Sequence, residues 1–232
     1  MRFNPNEETA FYQGNQKRLS LLVAIPTFGM VPIEWAVSFT RLQMPVNCNA
    51  HSIVVTKQEV GIARNYIVEH LLKMRPRPEY LLFVGDDMLP PWYGVIKLHQ
   101  EMMKGEFDVI AGLYFIKQKE IPVPIIWRKE VEGYLEPYKH YQPGEVVPVD
   151  ICGNDFTIFK TEIFEKITYP WFATAFTKID DVNNMDKSKF KSLVAFTEDV
   201  YFCDKAKQLG FKIGVHTGVR VSHLNVKTGE VY

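Results

Sequence analysis

Glu79-Tyr80-Leu81-Leu82-Phe83-Val84-Gly85-Asp86-Asp87-Met88 is an apolar run that ends in two adjacent carboxylates. Read as a buried strand, it delivers Asp86 and Asp87 to the rim of a sheet, where ligands of α/β proteins bind. Strand-end carboxylates suit a hard divalent cation, which takes oxygen ligands and usually shares one or two carboxylates with the phosphates of a bound molecule. Lying before Pro90-Pro91, the same pair also reads as a plain acidic turn. The surrounding pattern has to decide.

Upstream, Leu19-Ser20-Leu21-Leu22-Val23-Ala24-Ile25 is a second continuous apolar run, stopped by Pro26-Thr27-Phe28-Gly29. A helix is expected over residues 32–43, a β-branched strand over 52–56 and a helix over 62–74, with Ile62, Tyr66, Ile67, His70, Leu71 and Met74 on its inner face. Strand, helix, strand, helix, strand in this order predicts a parallel sheet with crossover helices. Thr27, the loop after Thr56 and Asp86-Asp87 then converge on one crevice. Downstream, a helix over 92–104 and a strand over 108–115 precede an irregular β-excursion at 117–148 rich in proline and aromatics. Regular structure is expected to return over 149–160, with a turn at Gly153-Asn154-Asp155, followed by a short helix from Thr161-Glu162 and a charged mobile loop at 178–192 that closes over bound ligand. A helix over 198–209 ends at Gly210, and strands follow at 212–216 and 219–224.

The 232 residues are 47% hydrophobic and 13% aromatic, enough to fill the core of one α/β domain. Residues 1–18 read as a polar N-terminal arm and 19–232 as a single domain. Lys plus Arg (27) balance Asp plus Glu (27), so overall charge does not point to nucleic acid as the main partner. Cys48, Cys152 and Cys203 are far apart, without CxxC spacing and odd in number, the pattern of free thiols in a reducing compartment. The expected location is cytoplasmic. The most apolar stretch, 19–37, is broken by Pro26, Gly29, Pro32 and Glu34, and no membrane anchor is expected.

Four separated features, Asp86-Asp87, Gly153-Asn154-Asp155, Thr197-Glu198-Asp199 and His223, together resemble the ordered motifs of GT-A glycosyltransferases, especially small family-2-like enzymes of phages and bacteria. The resemblance covers about residues 19–225. It implies an α/β GT-A fold, with a nucleotide-sugar-binding half at 19–116 and an acceptor and catalytic half at 117–232. It makes Asp87 and His223 metal ligands and Asp86 a contact to the metal or to the sugar and ribose, with Mn²⁺ or Mg²⁺ as cofactor. Imidazole favours Mn²⁺ of the two. Gly85 stands where the common DxD-type pattern has a further aspartate.

The same resemblance turns Arg64 toward the donor diphosphate and Thr27 toward base and ribose. Asp199 becomes the base that takes the proton from the acceptor hydroxyl, with Glu198 beside it; as residues, Thr197-Glu198-Asp199 also read as an ordinary helix opening. Gly153, Asn154 and Asp155 are expected to line the acceptor pocket, with Trp127 and Trp171 as sugar-stacking faces. The activity implied is transfer of a sugar from a nucleotide-diphosphate sugar to an acceptor hydroxyl, glycan, protein or nucleic-acid-linked. A nucleotidyltransferase and a non-catalytic nucleotide- or carbohydrate-binding domain are the alternatives.

Overall fold

The computed structural model describes residues 19–46, 48–118, 121–129, 135–174 and 197–232. The N-terminal arm and the loop expected at 178–192 lie outside the described residues. In chain order the elements are β1 (Leu19–Thr27), α1 (Ile33–Arg41), β2 (Cys48–Thr56), α2 (Val60–Lys73), β3 (Tyr80–Val84), β4 (Met88–Leu89), α3 (Gly94–Met103), β5 (Val109–Leu113), β6 (Phe115–Gln118), β7 (Ile121–Pro124), β8 (Ile126–Lys129) and β9 (Leu135–Pro137). Then come β10 (Val146–Val149), β11 (Ile151–Cys152), β12 (Phe156–Lys160), α4 (Ile163–Lys166), α5 (Glu198–Gln208), β13 (Ile213–Arg220) and β14 (Ser222–His223).

Seven strands form the central sheet in the order β10-β13-β5-β12-β3-β1-β2. β2, β1, β3, β5 and β13 run one way, and β12 and β10 run against them. The expected α/β class with a mostly parallel sheet is the one observed. Its middle strands carry apolar residues at successive positions because both faces are covered. α2 and α5 pack on one face, through Ile67, Val68, Leu71, Phe202 and Ala206 against Leu22, Ala24, Leu81 and Phe83. α1 and α3 cover the other, where Trp35, Val95, Leu98 and Met102 meet Leu21, Val23, Leu82 and Val84.

The stretch 149–160 divides at the expected turn, since β11 leaves the main sheet to pair with β8, Ile151 opposite Trp127, before the chain turns through Gly153–Asp155 into β12. Thr157 Oγ1 locks that turn by donating to the Gly153 carbonyl at 2.9 Å. The expected inner face of α2 is corrected, because Ile62 and Tyr66 are 48% and 59% exposed while Arg64 and Asn65 are buried. Two polar residues occupy the inward stripe because each finds partners there. Asn65 donates to the Phe172 carbonyl and accepts from the Trp171 and Phe172 amides; a search for apolar periodicity does not see such a stripe.

Among the described residues no helix is long and apolar enough to cross a membrane, and the three cysteines are free thiols.

Candidate active site

A cleft of about 220 Å³ opens beyond the ends of β1 and β3, lined by Thr27, Phe28, Gln58, Asp86, Asp87, Asp155 and Glu198 among others. Strand ends converge here as the parallel topology requires. A larger groove of about 510 Å³ lies on the outer side of α1 against Pro90, Pro91 and Trp92, but Glu34 and Arg41 are its charged groups. The density of titratable groups marks the smaller cleft as the chemical one.

Asp87 lines the cleft and meets His223, their Oδ2 and Nε2 3.1 Å apart across 136 positions of sequence. β14 brings them together by pairing with β4, His223 opposite Met88, and the Leu224 amide donates to the Asp87 carbonyl at 2.9 Å. On its other side the imidazole Nδ1 sits 3.2 Å from the Phe115 carbonyl. Burial lowers the His223 pKa, but hydrogen bonding to Asp87, the Asp87 charge and the Phe115 carbonyl outweigh it, and the net displacement is upward. With Nδ1 on the Phe115 carbonyl and Nε2 on Asp87 the ring is held on both sides, and an ion taken together with Asp87 would require Nε2 to give up its proton.

Asp86 turns elsewhere. Its Oδ2 accepts from the Phe28 amide at 3.4 Å; burial and the neighbouring Asp87 raise its pKa, opposed by the Thr27 hydroxyl and the Phe28 amide. No group of three His, Cys, Asp or Glu side chains converges on one ion position among the described residues. Of the three expected ligands, Asp87 and His223 come together, while the Asp86 carboxylate faces the Phe28 amide.

Behind Asp155 and Glu198, which also line the cleft, lies Arg64. Its Nη1 meets Glu198 Oε1 at 2.7 Å and Asp199 Oδ1 at 2.6 Å, and its Nη2 meets Asp155 Oδ1 at 2.5 Å. The guanidinium is wholly buried, 5.4 Å from the Phe83 ring centroid and 5.8 Å from that of Phe172. With no exposed surface it offers nothing to a diphosphate, so the expected nucleotide contact is corrected to an internal role. One forked cation holds three carboxylates from two other elements. Desolvation opposes its charge, yet Asp199, Asp155 and Glu198 together drive its pKa up. Burial, only partly offset by Arg64, lifts the pKa of Glu198 and, much further, that of Asp199. Thr197 is the N-cap of α5, but its hydroxyl caps nothing. Glu198 lines the cleft, while the Asp199 side chain keeps 15% of its surface exposed.

Gly85 explains the departure from the common carboxylate pattern. A Cβ here would sit 3.0 Å from Asp155 Cβ and 3.2 Å from its Cγ and Oδ1. The glycine backbone is pinned as well, its amide donating to the Asp155 carbonyl and its carbonyl accepting from Trp35 Nε1, both at 2.6 Å. A third aspartate would push Asp155 off Arg64 and add a fourth carboxylate to the cluster. Gly85→Asp is accordingly expected to lower stability by about 1–3 kcal/mol without strengthening Mn²⁺ binding. Thermal melts across an Mn²⁺ titration check this, and a larger metal-induced shift than wild type refutes it.

Asn154 is completely buried, and among the described residues neither its Nδ2 nor its Oδ1 has a partner. A buried amide without partners costs about 1–3 kcal/mol per group, and a functional role is one explanation for carrying such a cost. Trp127 is half-buried on β8 and is not among the cleft-lining residues. Trp171 is corrected: it is 6% exposed and donates Nε1 to the Phe164 and Ile167 carbonyls, both at 2.9 Å, which makes it core.

Two residues here escaped the sequence reading. Glu59 caps α2 through Oε2 to the Ile62 amide at 3.0 Å, and Tyr114 donates its hydroxyl to Asp155 Oδ2 at 3.2 Å. A signal existed for Tyr114, since it follows β5 at the sheet edge where Asp86 follows β3.

No protein-family model and no curated protein matches the sequence. Solved structures do match. A197 from STIV is 18% identical with a TM-score of 0.60, covering 92% of this chain and 93% of that chain. GalNAc-T7, solved with UDP, GalNAc and Mn²⁺, is 10% identical with a TM-score of 0.52, and the alignment covers 90% of this chain but 44% of that one. S. aureus TarS in complex with UDP-GlcNAc is 14% identical with a TM-score of 0.49, covering 88% and 57%. At these identities the likeness establishes the fold, the GT-A arrangement.

Proposed function

We propose that this protein is a divalent-metal-dependent glycosyltransferase of the small family-2-like type, moving a sugar from a nucleotide-diphosphate sugar to an acceptor hydroxyl. The observation that carries the reading is one cleft lined by Asp87, Asp155 and Glu198, with His223 bound to Asp87 and Arg64 bound to the other two carboxylates. GalNAc-T7, which shares the fold, was solved with UDP and Mn²⁺, and this supports a nucleotide and metal of the same kind here. Asp87 and His223 fit Mn²⁺ or Mg²⁺ as two protein ligands that leave positions for phosphate oxygens. Such an ion supplies Lewis-acid stabilisation of the departing diphosphate.

The chain's own groups do the rest. Thr27 and Phe28 at the end of β1 receive the nucleoside, and Asp86 accepts hydrogen bonds from ribose or sugar hydroxyls. On the acceptor side, Gly153, Asn154 and Asp155 seat the incoming hydroxyl. As the acceptor oxygen bonds to the anomeric carbon, the bond to the diphosphate breaks with its electron pair, and the acceptor proton passes to Asp199, with Glu198 next to it. Burial raises the basicity of Asp199, which suits it to take a proton that becomes acidic only as the bond forms. Arg64 stays in place and keeps the three carboxylates aligned.

The test is a thermal-shift screen of nucleoside diphosphates and nucleotide sugars with and without Mn²⁺, followed by transfer and hydrolysis assays on any binder. A ligand at 100 times its Kd stabilises by about 2.7 kcal/mol, or roughly 5–10 °C for a domain of this size. Asp87→Ala is expected to abolish the Mn²⁺-dependent part of that shift and leave the ligand-free melting point within a few degrees, because a 34% exposed side chain at a strand end holds little of the core. Unchanged nucleotide affinity in the variant removes Asp87 from the site.

A further inference from the structure

We infer that Tyr114 is a positioning residue of this site, whose hydroxyl fixes the Asp155 carboxylate in the orientation in which its free lone pairs face the cleft and receive a sugar hydroxyl. The inference rests on the proposed sugar transfer for the identity of that ligand, and on geometry alone for the positioning. Asp155 is held at three atoms: Oδ1 by Arg64 at 2.5 Å, Oδ2 by the Tyr114 hydroxyl at 3.2 Å, and the backbone carbonyl by the Gly85 amide at 2.6 Å. Its side chain nevertheless remains 27% exposed and lines the cleft. Each carboxylate oxygen accepts more than one hydrogen bond, so a doubly held carboxylate still has capacity to spare.

The acceptor turn is built around this hydroxyl. A Cβ on Gly153 would lie 1.6 Å from the Tyr114 oxygen and 2.4 Å from Cζ, so glycine is required there by the phenol, with no unusual backbone angle involved. The ring is 2% exposed and meets His223 edge-on, centroids 6.2 Å apart. Tyr114 therefore stands between the Asp87–His223 pair and the Arg64 cluster. Burial and the neighbouring carboxylates push the phenol pKa well up, outweighing Arg64, which favours the protonated, donating hydroxyl.

Tyr114→Phe removes this one donor and keeps the ring. Hydrogen bonds to charged groups are worth a factor of about 10 to 100, and kcat for transfer is expected to fall by that much while the donor KM stays within about twofold and the melting point within a few degrees. Unchanged kcat, or a fall in kcat matched by losses in donor KM and melting point, overturns the positioning role. Ligand-free crystal structures of both proteins give a readout that needs no activity: Asp155 is expected in one rotamer in the wild type and in several in the variant. A single unchanged rotamer refutes the inference. If the wild type transfers no sugar from any donor, the sugar-transfer reading fails while the rotamer comparison still decides the role of Tyr114. Gly153→Ala, which drives a methyl group into the hydroxyl, is expected to scatter the Asp155 rotamer in the same way, and an unmoved Asp155 counts against it.

Discussion

Arg64→Met is expected to lower stability by about 3–5 kcal/mol, the cost of removing one partner from a buried ion-pair network. At about 2–4 °C per kcal/mol for a chain of this size, the melting point falls by roughly 6–20 °C. Methionine replaces the bulk of the stem but leaves Asp155, Glu198 and Asp199 facing one another without their cation. Protonation relieves that repulsion, so the loss grows as pH rises above the ordinary carboxylate range. Arg64→Lys is expected to fall between wild type and Arg64→Met, because a single ammonium restores the charge but cannot span three carboxylates from a fork. Urea melts at pH 5 and pH 8 decide the matter. A Met variant within about 1 kcal/mol of wild type that has lost nucleotide affinity would return Arg64 to the diphosphate.

Asp199→Asn is expected to reduce transfer by roughly 10²–10⁴ while donor affinity stays put, since the amide keeps an oxygen for Arg64 but takes no proton. The same change should raise stability at neutral pH by about 0.5–2 kcal/mol, as active-site charge commonly does when removed. In the wild type the pKa of both Glu198 and Asp199 lies above its ordinary value. The folded protein then binds more protons than the unfolded chain between the unfolded and folded pKa values. That contribution to stability is complete below the unfolded pKa and is lost as pH rises through the folded one. Removing Asp199 should flatten the decline toward high pH. Full activity in the Asn variant would pass the base role to Glu198, which lines the cleft. Loss of donor binding in parallel would make Asp199 structural.

The parts legible from sequence are those that local pattern encodes. Apolar runs ending in Thr27 and in Asp86-Asp87 define β1 and β3, and the alternation with helices requires a parallel sheet whose strand ends meet in one cleft. Glu198-Asp199 at the start of α5 follows from the same kind of reading, and the order of motifs was enough to pair Asp87 with His223. The extent of α5, ended at Gly210, is likewise a local matter.

Tertiary structure decided where charges find their partners. An arginine near the start of a helix looks the same in sequence whether it faces an anion or the core; Arg64 faces inward because Asp155, Glu198 and Asp199, 91, 134 and 135 positions away, meet it there. Gly85 is glycine because a residue 70 positions on, Asp155, occupies the space of its Cβ, and Gly153 because the Tyr114 hydroxyl does. Trp171 is core because the Phe164 and Ile167 carbonyls need its donor. Periodicity records how exposed a position is on average along its own element. It carries no record of which distant side chain fills the remaining volume, and in this site that volume is shared among carboxylates, one guanidinium and one phenol.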